Sequence, residues 1–203
     1  MKKIYVVGDS ISLHYGPYLR DMLRGTMDYA RKEGEEEALL NLDNPQGANG
    51  GDSGMVLAFL RAKAAAGGIA ADLLLLNCGL HDIKTDPATG RKQVPLASYE
   101  RNLRAILDLR PRLCPALAWI RTTPVDERVH NAVPGIAFHR FTADVAAYNA
   151  AADAIMTAAG VPLVDLFTFT RNLSPDLFCD HVHFTEPVRR LQAAFLAGWL
   201  AGR

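Results

Sequence analysis

The sequence predicts a three-layer α/β/α sandwich of about five parallel strands with helices on both faces. Three observations carry that prediction. Short apolar runs alternate with amphipathic segments along the chain. Leu73-Leu74-Leu75-Leu76 is apolar on both strand faces, as a central parallel strand covered on both sides must be. The chain has 203 residues, 49% apolar and 22% charged. That is ordinary globular usage for one domain over residues 1–203, enough to bury a core without disulfides or a structural metal.

The elements follow in order. Residues 3–7 form a β-branched run ending at Gly8, the first strand. Residues 17–31 read as a helix, with Tyr18, Met22 and Leu23 at helical spacing and Pro17 near its first turn. The charged stretch 32–37 reads as a solvated turn or helix end, and 38–42 as a short second strand. Residues 44–54 are a loop, where four glycines in eleven residues imply positive φ or close backbone approach. Asp52 or Ser53 caps a helix running to Ala66, and Gly67-Gly68 ends it. The third strand covers 72–77. A helix over 98–110 takes Ser98 as cap and Pro111 as stop, with Leu103, Ile106 and Leu107 inward. Residues 116–122 are the fourth strand. After a long connection, 126–141, comes a helix over 141–159 with Thr142 as its cap. Residues 161–166 are the fifth strand. A helix over 185–200 closes the chain, with Val188, Leu191, Phe195 and Trp199 on one face. No internal repeat or low-complexity tract interrupts the pattern.

Charge and cysteine usage exclude some classes. Lys+Arg and Asp+Glu both number 22, so the basic excess of a nucleic-acid reader is missing. The three cysteines, Cys78, Cys114 and Cys179, are widely spaced and make no C-x-x-C, so they read as buried or semi-buried thiols in a reducing compartment. After Lys2-Lys3 the apolar run is too short for a signal core, and 191–202 falls short of a membrane span. A cytoplasmic protein is expected.

In a parallel α/β sheet the chemistry gathers at the carboxyl ends of the strands, and four loops there carry polar blocks. Gly8-Asp9-Ser10 can present a hydroxyl and a backbone N–H to a pocket, although turns use the same residues. Gly50-Gly51-Asp52-Ser53 opens a helix, where N–H groups favour negative charge; an N-cap turn reads the same way. Asn77-Cys78-Gly79-Leu80-His81-Asp82 sets two polar side chains at a strand end. In Asp180-His181-Val182-His183, an aspartate and a histidine three apart can bring a carboxylate onto the far imidazole nitrogen, the orienting bond of a serine-activating histidine. His181, His183 and Asp180 also suggest a metal site, but no further ligand cluster at metal spacing supports it.

In this order and at these strand ends, the four blocks resemble the GDSL (SGNH) hydrolase family from residue 3 to about residue 200. The resemblance implies a flavodoxin-like sheet and a serine esterase that needs no metal or organic cofactor. It makes Ser10 the nucleophile, His183 the base and Asp180 the group that orients it. It assigns the N–H groups of Ser10 and Gly51 to the oxyanion hole. The third block departs: the family's Gly-x-Asn-Asp reads Gly79-Leu80-His81-Asp82 here. A histidine can also donate a hydrogen bond, so His81 is assigned to the oxyanion hole. A structural histidine and a changed substrate contact are the competing readings.

His14, Tyr15 and Tyr18 follow the nucleophile and either wall the pocket or pack the first helix. His130 and His139 lie in the long connection and are assigned to substrate binding. Without an apolar lid helix, short acyl groups on a water-soluble alcohol are favoured over long-chain lipids. The expected partner is a small ester or acetylated saccharide, not nucleic acid or a membrane. The alternatives are a lysophospholipase or thioesterase type of acyl hydrolase, and a non-catalytic carbohydrate-binding relative of the fold.

Overall fold

The computed structural model describes residues 1–173 and 176–203. Five parallel strands form one sheet in the order β2-β1-β3-β4-β5: β1 Lys2–Val7, β2 Met27–Arg31, β3 Leu73–Leu76, β4 Ala116–Ile120 and β5 Leu163–Val164. β1 sits between β2 and β3, in register Ile4–Tyr29 on one side and Ile4–Leu73 on the other. The run 73–76 is inside the sheet, as its two-faced apolarity requires.

Helices cover both faces. α1 Ser10–Met22 packs on α8 Glu186–Ala201, which also meets α7 Leu166–Arg171. On the other face, α3 Ser53–Ala65 packs on α4 Leu96–Leu109, and α4 on α6 Thr142–Ala158, which the short α5 Glu127–Asn131 precedes in the chain. The core between them centres on Trp119, Tyr99, Leu74, Leu75 and Leu76. Among the described residues, no helix is long and apolar enough to cross a membrane.

Several sequence expectations need correction. The first helix starts at Ser10, where Asp9 caps it by accepting from Ile11 N, so Pro17 lies inside it and not in its first turn. It ends at Met22, and 27–31 is strand β2, reached through Gly25 at φ 78°. Residues 38–42 are not a strand. α2 Glu35–Leu40 begins after Gly34 (φ 90°), and Glu35, Glu36 and Glu37 fill its first turn, where negative charge meets the positive helix end. α4 is preceded by Pro95 and not Ser98; α6 is preceded by Phe141 and not Thr142. The strand expected over 161–166 shortens to two residues, followed at once by α7. α8 buries Val188, Gln192, Ala193, Leu196 and Leu200, so its inward face is rotated from the expected one and Leu191 is exposed. Cys78 is buried and Cys114 half-buried, whereas Cys179 is exposed.

Candidate active site

The carboxyl ends of β1 and β3 and the turn before α8 converge on one point. Ser10 is the first residue of α1, buried under its own turn. Its Oγ lies 2.9 Å from Nε2 of His183, and Nδ1 of His183 lies 2.7 Å from Oδ2 of Asp180. An ionised carboxylate only accepts, so Nδ1 carries the proton and Nε2 is left to accept from the Ser10 hydroxyl.

Asp180 is held in place by its own loop. Its Oδ1 accepts from Val182 N at 2.8 Å and His183 N at 2.6 Å. Partial burial pushes its pKa up, but these N–H groups and the imidazole outweigh that and leave it below the ordinary 3.8. Cys179 N donates to His183 O at 2.8 Å, and Thr185 N to Leu177 O at 2.9 Å, which closes the turn into α8.

The glycine blocks are stitched to each other. Gly50 N donates to Gly8 O at 2.9 Å, joining the second block to the first. Ser53 N donates to both carboxylate oxygens of Asp82 at 3.0 Å, joining the second to the third. Gly51 has φ 70°, and a Cβ there would meet Met55 and Pro45. Its N–H is not free: it donates to Oδ1 of the buried Asn49 at 3.0 Å. Sequence reasoning gave that N–H to the oxyanion alone and missed Asn49, which carries no motif of its own.

His81 is 3% exposed, and its Nδ1 is buried with no hydrogen-bond partner among the described residues. Burial lowers its pKa well below 6.5, and the charges of Lys84, Arg140 and His183 push the same way. The ring is therefore neutral and has one N–H to give. Asp82 beside it is pushed up to about 7 by burial, against the opposing bonds from Ser53.

The expected substrate contacts separate. The His14 ring stands edge-on to His183, with centroids 5.1 Å apart, and burial lowers its pKa to about 4. Tyr15 is 2% exposed and packs into the core. On a helix begun at Ser10, residue 14 returns to the face of Ser10 and residue 15 turns away from it. His130 is fully buried and bonded within the fold. Its Nε2 lies 3.2 Å from Phe138 O and its ring faces His181, with the two Nδ1 atoms 2.8 Å apart. His181 also faces Asp43 at 3.2 Å, away from Asp180. His139 is half-buried and serves through its backbone, exchanging two 2.8 Å bonds with Thr85. Arg140, a lone arginine without a sequence signal, is buried next to it.

A serine hydroxyl, an imidazole and a carboxylate bonded in series at the carboxyl edge of an α/β/α sandwich form the layout of a hydrolase. Residues 6–191 match the GDSL-like lipase/acylhydrolase family, and the chain belongs to that family. No curated protein matches it significantly. Its fold is similar to a lipase/acylhydrolase from Enterococcus faecalis, with TM-score 0.73, 15% identity, and 100% of this chain and 97% of that one covered. It is also similar to a carbohydrate acetylesterase from Sinorhizobium meliloti, with TM-score 0.63, 13% identity, and coverage of 100% and 99%. An acetylxylan esterase from Geobacillus stearothermophilus matches with TM-score 0.66, 16% identity, and coverage of 96% and 92%.

Proposed function

We propose that this chain is a serine esterase that removes short acyl groups, foremost acetyl, from carbohydrate esters through an acyl-serine intermediate. The observation that carries the reading is the unbroken series Ser10 Oγ–His183–Asp180, at 2.9 and 2.7 Å.

His183 Nε2 takes the Ser10 proton as Oγ attacks the ester carbonyl. The Oγ–carbon bond forms, and the carbonyl oxygen becomes an oxyanion. Asp180 holds the imidazole in its Nδ1–H form and stabilises the imidazolium that results. The Ser10 N–H, at the first turn of α1, and the single N–H of neutral His81 receive the oxyanion. The Gly51 N–H joins them by sharing its proton with Asn49 or leaving it. Collapse breaks the ester C–O bond, and His183 returns the proton to the leaving alcohol. Water, deprotonated by His183, then attacks the acyl carbon; the new C–O bond forms, the acyl–Oγ bond breaks, His183 returns the proton to Ser10 Oγ, and the carboxylic acid leaves.

Two observations support a sugar as the alcohol. A polar cleft of about 410 Å³ is lined by Lys84, Phe138, Gln93, Thr89 and Lys92, and Lys84 stands three residues after His81 in the chain. The structural relatives also include enzymes named for acetylated carbohydrate and acetylxylan.

The test is hydrolysis of p-nitrophenyl esters of graded acyl length, then of acetylated sugars, with Ser10→Ala alongside. Turnover that falls beyond the shortest chains and vanishes in Ser10→Ala is expected, as is labelling of Ser10 by a serine-directed phosphonate. Neither turnover nor labelling would end the proposal and leave a carbohydrate-binding relative of the fold.

A further inference from the structure

We propose that Arg140 is a positioning residue of the oxyanion site, which pins the Leu80–His81 peptide and so aims the His81 ring at the reacting carbonyl. The inference rests on reading His81 as an oxyanion donor.

Arg140 is 1% exposed, and its Nε–H donates to Leu80 O at 3.0 Å. That carbonyl belongs to the peptide bond leading into His81, so the bond restricts rotation on the N-terminal side of the histidine. On the C-terminal side, Asp82 is fixed by Ser53 N. His81 therefore stands between two anchors. The need for them is local: Gly79, two residues earlier, has φ 145°, a conformation with little steric restraint of its own.

Arg140 is itself clamped. Its backbone N–H donates to Asn131 Oδ1 at 2.9 Å, and Asn131 Nδ2 donates to its carbonyl at 3.0 Å. The neighbouring His139–Thr85 pairing ties the same segment to the third block. The guanidinium lies 4.8 Å from the Phe138 ring centre, and its buried Nη1 has no hydrogen-bond partner among the described residues. A buried guanidinium is normally matched by a carboxylate in bidentate contact. Here Asp43, Asp9 and Asp180 attract it, yet none reaches Nη1. A costly charge thus sits behind the oxyanion donor, and among the described residues the hydrogen bond of its guanidinium goes to the peptide of His81.

The charge has a second consequence. The cations facing His81 are Arg140 and Lys84, joined by His183 once its imidazolium forms in the reaction; Asp82 is its acidic neighbour. They disfavour a proton on a ring already disfavoured by burial, so the donor stays a neutral imidazole.

A double-mutant cycle on acetyl-ester hydrolysis tests the proposal. Arg140→Met is expected to lower kcat by about 10–100-fold with KM changed by less than about threefold, the pattern of an interaction made in the transition state. In a His81→Ala background the same change should cost less than about threefold, because the two residues act as one unit. By NMR, the His81 ring should take up its proton at higher pH in Arg140→Met and hold closer to wild type in Arg140→Lys. If Arg140→Met does not fold, Arg140→Lys, which keeps the charge without the planar fork, carries the same cycle. An equal loss in both backgrounds would overturn the proposal and place Arg140 on Asp9 or Asp180 instead. A raised KM at constant kcat would overturn it in favour of a substrate contact. Wild-type kcat in His81→Ala would show that the reading of His81 had failed, and this proposal with it.

Discussion

At the scale of single residues the blocks of sequence were informative because each role needs one residue type at one backbone position. The Asp9 cap that opens α1 at Ser10 and the i,i+3 pair Asp180–His183 are short-range, whereas the Ser10–His183 hydrogen bond joins residues 173 apart through the fold. What escaped were partners with no motif. Asn49 accepts the N–H of Gly51 two residues on, inside a loop whose turns no motif announces, and Arg140 donates to the carbonyl of Leu80, a contact that depends on where a long loop returns in space. His81 is the residue whose role most needs measurement. Loss of one oxyanion donor typically lowers kcat by about 10²–10³, so His81→Ala should fall by that order while His81→Asn recovers part of it. Wild-type rates in His81→Ala would return the residue to a structural role. The pH profile gives a second check. A protonated His183 cannot accept the Ser10 proton, so the rate should fall with acid along a single ionisation. Asp180→Asn should lower the maximum by several orders of magnitude, about 10⁴ in the serine-protease precedent, because an amide donor facing Nδ1 favours the wrong tautomer. A rate unchanged in Asp180→Asn would remove the carboxylate from the mechanism.

At the scale of elements, what the sequence failed to reveal has a common cause. β2 pairs only with β1, at the edge of the sheet, so its five residues carry no two-sided apolar run and were absorbed into the preceding helical pattern. α2 is one short helix started by acidic side chains, and its Ala38-Leu39-Leu40 looks like a strand when read without its first turn. Long buried elements, β3 and α4 among them, were legible because packing enforces their period. The joints between elements carry their own test. Asp82 receives Ser53 N at the start of α3, yet burial raises its carboxyl to about 7. A carboxyl raised on folding contributes stability in full below the ordinary 3.8 and loses it as pH rises through about 7. Between pH 5 and 8, Asp82→Asn should therefore gain stability relative to the wild type, with a limit of about 1.4 kcal/mol per pH unit. Urea unfolding of both proteins at the two pH values measures this. A difference that does not change with pH would show that Asp82 is ionised at no cost.

At the scale of the molecule, the strand order explains why the site is where it is. β1 is followed in the sheet by β2 on one side and β3 on the other, so the chain reverses its direction of travel between β1 and β3. Helices from opposite faces diverge at that switch and leave a crevice at the carboxyl edge. Ser10 leaves the end of β1 and His81 follows β3, so the proposed nucleophile and oxyanion donor come from the two strands flanking the crevice. The core below serves as the rigid base for that edge, and Trp119 is its largest fully buried side chain, in register with Leu76 and Leu163. Its Nε1–H is buried without a hydrogen-bond partner among the described residues, so shape and not hydrogen bonding keeps it there. Trp119→Ala should cost about 3–5 kcal/mol, from lost burial and the cavity left behind. For a chain of this length that corresponds to a fall in Tm of about 6–20 °C. Trp119→Phe keeps an aromatic ring and removes the unsatisfied donor, so its cost should stay near about 1.5 kcal/mol or below. Thermal unfolding of both variants, with kcat measured well below each Tm, separates base from site. A large fall in Trp119→Phe would mean that the indole N–H is satisfied in solution, whereas loss of kcat in a folded Trp119→Ala would mean that the core sets the geometry at Ser10 directly.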